Sequence, residues 1–180
     1  KQDGVAVIDI SGSLISGDAG WMRMYGVLGY DNIQAALVQA VTDPEVKSIM
    51  LHISSGGGAV TGVDDLAAFI KRIDALKPVV TFAAGTMASA AYWLGSSGRY
   101  VMASQTSIVG SIGVIMVHTE YSQANKDAGI ATTLIRAGKF KALVNSVEPL
   151  STEALQQAES QAAYIYDIFT GRVASNLGAS

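Results

Sequence analysis

The sequence predicts an α/β protein built on a mostly parallel sheet. Three observations predict it. Short apolar runs of strand length alternate with longer runs of helical periodicity. Gly- and Ser-rich junctions follow the strands, at Ser54-Ser-Gly-Gly-Gly58 and at Gly85 to Ser89. Neither an internal repeat nor a low-complexity linker divides the 180 residues, which matches one domain in length.

The elements follow in order. Val5-Ala-Val-Ile-Asp-Ile10 reads as a strand, and residues 11–29 as a Gly/Ser-bearing loop with apolar tips at Trp21, Met22 and Met24. Asp31 is placed to cap a helix, with Gln34 three residues on and Ile33, Ala36, Leu37 and Val41 at helical spacing. Ser48–Ile53 is the next strand. Thr61 and Asp64 have capping-box spacing before a helix carrying Leu66, Phe69, Ile70 and Ile73. Strand Val79–Ala84 leads to a short helix near Ser89, and Tyr100–Ala103 and Ile112–Val117 read as strands. Glu120–Asp127 reads as helix, Ala131–Ile135 as extended chain and Arg136–Leu150 as loop. Ser151 caps a long final helix with Leu155, Ala158, Ala162, Ile165, Phe169 and Val173 on one side.

Composition removes several function classes. There is no cysteine, hence no disulfide scaffold, thiolate metal site or cysteine nucleophile. Lys+Arg 12 against Asp+Glu 15 gives a net charge of -3, unlike a nucleic-acid module. Only 15% of residues are charged, against about 25% in an ordinary globular chain. That points either to surface hidden in subunit contacts or to a membrane. The apolar stretch 79–98 has the length of a span, but Thr81, Gly85, Ser89 and Gly95 interrupt it, and a buried strand–turn–helix fits it better. Residues 1–20 carry Asp3, Asp9 and Asp18 and lack the apolar run of a secretory leader.

Two segments carry chemistry. Gly56-Gly57-Gly58 lies between a strand and a helix, as a tight turn, an anion loop or an oxyanion hole would. The Lys-Ser/Thr of a phosphate loop is absent, since Ala59-Val60 follow. In Gly85-Thr-Met-Ala-Ser89-Ala-Ala91 a serine sits at a strand-to-helix turn among small residues, where it is either a helix cap or a nucleophile. A nucleophile needs a base. His52 alternates with apolar residues in a strand and reads as structural, whereas His118 ends a strand and stays a candidate. Lys139 and Lys141 lie in a Gly-containing loop. A lysine serves as base where burial and dipoles bring its pKa down from about 10.4.

The ordered set of motifs resembles the S49 serine peptidases, the signal-peptide-peptidase A family, over essentially the whole chain. Within that family it is most similar to the head-assembly (prohead) proteases of tailed bacteriophages. The resemblance is carried by Ile10-Ser-Gly-Ser-Leu14, by Ser54-Ser-Gly-Gly-Gly58 against the family's Asn-Ser-Pro-Gly-Gly, and by Met87-Ala-Ser-Ala90. Val109-Gly-Ser-Ile-Gly-Val114 and Ala137-Gly-Lys-Phe-Lys141, against Ser-Gly-x-Tyr-Lys, complete it. The resemblance implies Ser89 as nucleophile, Lys141 as general base, Ser111 as the hydroxyl bonding the lysine amine, and the Gly57 and Ala90 N–H groups as oxyanion hole. Ser55 stands where the family often has Pro, and Ala90-Ala91 where it often has Gly-Gly; Ser55 is expected to loosen the loop slightly.

The same resemblance implies a ClpP/crotonase-like spiral of ββα units and one peptidase domain over 1–180, open to extension at both ends. It implies neither metal nor cofactor. Expected partners are a protein or peptide substrate and further copies of the chain, with Ser and Lys drawn from one subunit or from neighbours. The activity implied is capsid or scaffold maturation in the host cytoplasm. The alternatives are a membrane-associated signal peptide peptidase that degrades cleaved signal peptides, and a non-catalytic scaffold on the same fold.

Overall fold

β-branched and aliphatic residues dominate the strand runs, and their pleat sets which residues become core. In the computed structural model, which describes residues 3–178, the strands are β1 (Val5–Ile15), β2 (Val27–Gly29), β3 (Ser48–Gly58), β4 (Val79–Ala88), β5 (Tyr100–Ala103) and β6 (Ile108–Gly110). The helices are α1 (Tyr30–Thr42), α2 (Val63–Leu76), α3 (Ala90–Gly95), α4 (Ser122–Asp127) and α5 (Thr152–Leu177), with a 3-10 helix at Gly20–Tyr25. Among the described residues two compact units result: residues 3–113 with 168–178, and residues 114–167.

The first unit holds the sheet. Its strands run in the order β2-β1-β3-β4-β5, with β6 paired to the end of β4, and every pairing is parallel. This is the mostly parallel α/β sheet the sequence predicts. Ile8, Ile10 and Leu14 of β1, Ile49, Leu51 and Ile53 of β3, and Val79 and Ala83 of β4 are buried. Ile33 and Leu37 of α1, Leu66, Ile70 and Ile73 of α2, and Leu94 of α3 are buried as well. Each of these buried Val, Leu and Ile side chains contributes about 1.5–3 kcal/mol. Ile168–Leu177, the end of α5, belongs to this unit. There Phe169 stacks on Trp93 with ring centroids 4.4 Å apart, and Arg172 grips Asp64 of α2 through two hydrogen bonds of 2.7 and 2.8 Å.

β1, β3 and β4 each run on through the Gly/Ser segments expected to be loops. The helix starts also differ from expectation. Gly29, not Asp31, caps α1, and Asn32 Oδ1 accepts the N–H groups of Gly29 and Ala19 at 3.2 and 3.1 Å. Gly62 caps α2, because Asp64 is turned to Arg172 and to Trp93 Nε1 instead. Ser151 does cap α5: its Oγ accepts the Ala154 N–H at 3.1 Å.

The second unit contains α4 and the first part of α5. The expected strand at 112–117 is not formed, and 131–135, expected to be extended, pairs with no strand. Gly110 and Ser111 take φ of 122° and 54°, which turns the chain out of the ladder directly after β6. The stretch 79–98 is β4, a turn and α3. Among the described residues no helix is long and apolar enough to cross a membrane.

Candidate active site

β4 delivers Ser89 to the carboxyl end of the sheet, the side on which open α/β sheets bind ligands. The strand ends at Ala88, Ser89 takes φ 52° and ψ −126°, and α3 begins at Ala90. Such a backbone is sparsely populated for a residue with a side chain and costs of order 1–3 kcal/mol, so its neighbours must hold it there. They do. The Ser89 N–H donates to Gly110 O at 2.8 Å, and the Ser89 carbonyl accepts from Trp93 N–H at 2.9 Å. Although Ser89 occupies the N-cap position, its side chain makes no capping bond. The helix-cap reading of this serine therefore loses its content, and the half-buried hydroxyl is left for other chemistry.

Gly57 packs directly on this turn. It is buried with φ +101°, and a Cβ there would lie 2.7 Å from Ser89 Cβ, 2.8 Å from Ala88 O and 2.9 Å from Ala90 N. Only glycine allows that approach. The Ala90 N–H stands in the first turn of α3, where an amide has no intrahelical acceptor. The Gly57 N–H is not bare: it donates to Ser55 Oγ at 3.1 Å. Ser55 in turn donates to Gly12 O at 2.6 Å and is buried. The expectation of a loosened loop is therefore overturned, because a buried hydroxyl bonded on both sides fastens β3 to β1.

β6 brings Ser111 beside the Ser89 turn. Ala88 pairs with Gly110, Gly110 O holds the Ser89 N–H, and Ser111 follows, exposed, with φ 54°. Ser89, Ala90, Gly57 and Ser111 are thus gathered in the first unit. Lys141 belongs to the second. It is exposed, at the end of a turn in which its N–H donates to Gly138 O at 3.1 Å, between Gly138 (φ +93°) and Ala142 (φ 55°). Lys139 pairs with Glu153 at 2.8 Å and lies over the Phe140 ring.

The two histidines are engaged elsewhere. His52 faces Asp9 across the strand pair, Nδ1 to Oδ1 at 2.9 Å, and stacks on Phe82. His118 Nε2 meets Asn145 O at 2.7 Å within the second unit. Among the described residues no cluster of three or more His, Asp or Glu side chains is arranged to hold a metal ion. Sequence reasoning missed the backbone strain at Ser89 and Ser111 and the double role of Ser55. The serine after the strand run was the only available signal for the latter.

Comparison with known proteins bears on this site. The family model for peptidase family S49 matches residues 71–179, a stretch that includes Ser89, Ser111 and Lys141. The chain is 36% identical over 178 residues to the head-tail preconnector protein GP5 of Enterobacteria phage P21, covering 99% of this chain and 36% of that protein. It is 34% identical over 178 residues to capsid assembly protease C of Escherichia phage lambda, covering 99% and 40%. Protease 4 of Salmonella typhi is 29% identical over 171 residues, covering 94% and 27%. The chain therefore spans about two fifths or less of the length of these relatives. With a family match running through the strained serine and identity extending along nearly all of its residues, the chain belongs to peptidase family S49, and its parallel sheet is the ClpP/crotonase-like fold of that family.

Proposed function

We propose that the protein is a serine endopeptidase in which Ser89 and Lys141 form the catalytic dyad, within one peptidase domain over residues 1–180. The carrying observation is Ser89 itself. It is held at φ 52° by bonds to Gly110 and Trp93 and makes no cap with its side chain. In the mechanism, the neutral Lys141 amine takes the Ser89 Oγ proton as Oγ attacks the scissile carbonyl carbon. Ser111 Oγ bonds and orients that amine. The oxyanion is stabilised by the Ala90 N–H and by the Gly57 N–H, the latter shared with Ser55 Oγ. One such donor is typically worth about 10²–10³ in rate. The Lys141 ammonium then protonates the leaving nitrogen as the C–N bond breaks. Water, deprotonated by Lys141, cleaves the ester, and the proton returns to Ser89. These steps need neither metal nor cofactor.

The substrates we propose are capsid or scaffold proteins cut during head assembly in the host cytoplasm, in line with the two phage relatives. A second reading, degradation of cleaved signal peptides at a membrane, draws on the similarity to Protease 4. A second copy of the chain is the partner we propose. On the edge strand β5, Tyr100 is 65% exposed, and an open edge is a place where another chain can pair. In the second unit Val117 is 84% exposed and Ile135 97%. Sedimentation velocity tests the assembly, and a monomer at all concentrations would remove it.

Cleavage of an unstructured protein by the parent, Ser89→Ala and Lys141→Ala tests the chemistry. Loss of cleavage in both variants is expected. Full activity in either would sink the dyad, and assembly without turnover in the parent would favour the scaffold reading.

A further inference from the structure

The seam between β1 and β3 breaks register beside the proposed nucleophile. Ser11 pairs with Ser54, but the next pairs are Ser13 with Gly57 and Leu14 with Gly58. β3 thus spends one residue more than β1 over the same stretch, which makes a β-bulge. A bulge disrupts the ladder and leaves backbone groups in need of other partners. Two such groups here are the Gly12 carbonyl, on the β1 side, and the Gly57 N–H, on the β3 side. One side chain serves both. Ser55 Oγ donates to Gly12 O at 2.6 Å and accepts the Gly57 N–H at 3.1 Å. At 2% exposure Ser55 has little access to water that could replace it.

What Ser55 holds is the wall of the site. Gly57 has no side chain to fix it, and a Cβ there would overlap Ser89 Cβ, Ala88 O and Ala90 N. The Gly57 peptide therefore lies directly on the Ser89–Ala90 turn, and rotating it would change what the turn packs against. Glycine resists such rotation less than any other residue. The ladder pairing with Ser13 restrains it in part, and the side-chain bond that fixes its N–H is the one to Ser55. The bulge is also tied outward: Ser13 N–H donates to Gly26 O at 2.9 Å, at the end of the 3-10 helix.

We propose that Ser55 is a positioning residue of the Ser89 site. By holding the Gly57 N–H and the Gly12 carbonyl together, its hydroxyl locks the Gly57 peptide against Ser89 and Ala90, and so sets the oxyanion side of the reaction. Ser55 touches no reacting atom in this role, and the inference rests on the reading of Ser89 as nucleophile.

The test compares Ser55→Ala, Ser55→Thr, Ser55→Cys and Ser89→Ala with the parent. Peptide cleavage is normalised to folded protein by circular dichroism, and a peptide boronate serves as a tetrahedral probe. For Ser55→Ala we expect kcat to fall about 10- to 100-fold, the scale of a small misplacement at a reacting centre. KM should stay within about threefold, and boronate affinity should fall in step with kcat. Ser55→Thr keeps a hydroxyl and should recover most of the loss. A merely structural role predicts a lower melting temperature with unchanged kcat per folded molecule, and that result overturns the proposal, as does a Thr variant no better than Ala. If Ser55→Ala does not fold, Ser55→Cys decides by the same criterion, since the slightly larger thiol fills the site but weakens both bonds. Cleavage by Ser89→Ala would bring down the nucleophile assignment and this proposal with it. An inactive Ser89→Ala beside a fully active Ser55→Ala would bring down this proposal alone.

Discussion

A Cβ on Gly57 would stand 2.7 Å from the Cβ of Ser89, closer than two such carbons ever pack. Residue 57 also has φ +101°, a region unfavourable to any side chain. Gly57→Ala should therefore push residue 57 and the Ser89–Ala90 turn apart. We expect a loss of about 1–3 kcal/mol in stability and about 100-fold or more in kcat/KM. Gly56 is the control, since a Cβ there meets nothing within 4 Å. Gly56→Ala should leave the urea midpoint where it was. Equal midpoints for both variants would show that Gly57 does not wall the site.

The strain at Ser89 makes a second prediction, in which stability and activity part. Ser89→Ala and Ser89→Gly both remove the hydroxyl, so both should be inactive. Only glycine relieves φ 52°. Ser89→Gly should exceed Ser89→Ala by about 1 kcal/mol, or roughly 2–4 °C in melting temperature for a chain of this size. An Ala variant as stable as the Gly variant would mean that the turn stores no strain.

Two lysines near each other in sequence separate role from charge. Lys139 already has a partner in Glu153, and exposed pairs of this kind contribute at most about 1 kcal/mol. Lys139→Ala should cleave peptide within about twofold of the parent. Lys141→Ala should lose at least about 10³-fold, as expected when the base of a nucleophile is removed. Steady-state peptide cleavage by both variants checks this, and the reverse pattern would transfer the role of base to Lys139.

How much of this was legible in the sequence follows from the range of the forces involved. Apolar periodicity reports which face is buried, so the parallel sheet, the long final helix and the buried character of 79–98 could be read from it. Ser151 could be read as a cap because capping is local. Asp64 could not, because its partner Arg172 is remote in sequence and outcompetes the helix start for its carboxylate. The segment expected as a strand at 112–117 is a short apolar run, but it follows the positive φ of Gly110 and Ser111, which composition does not announce. Ser89 could be singled out by position and by family resemblance, whereas its strained φ became visible only with the backbone. Ser55 was misread for the same reason: a hydroxyl looks like a weaker substitute for proline until Gly12 and Gly57 are placed on either side of it.

The Asp64–Arg172 pair predicts a pH dependence whose sign is fixed. The Arg172 guanidinium donates to both carboxylate oxygens, and the Trp93 indole N–H adds a third bond. Together they hold the Asp64 carboxyl below its ordinary value against the opposing effect of burial. A carboxyl depressed in the folded state adds stability above its unfolded pKa and loses it as pH falls through the folded value. About a third of each side chain is open to solvent, 37% of Arg172 and 35% of Asp64, which screens the pair. Arg172→Met should therefore cost about 1 kcal/mol at neutral pH. That difference should shrink as pH falls below about 4, where the Asp64 carboxyl of the unfolded chain begins to protonate while that of the folded parent, held lower, does not yet. Urea unfolding of parent and variant at pH 7 and pH 3 measures it. A difference equally large at pH 3 would place the contribution in the packing of the Arg172 stem rather than in the ion pair.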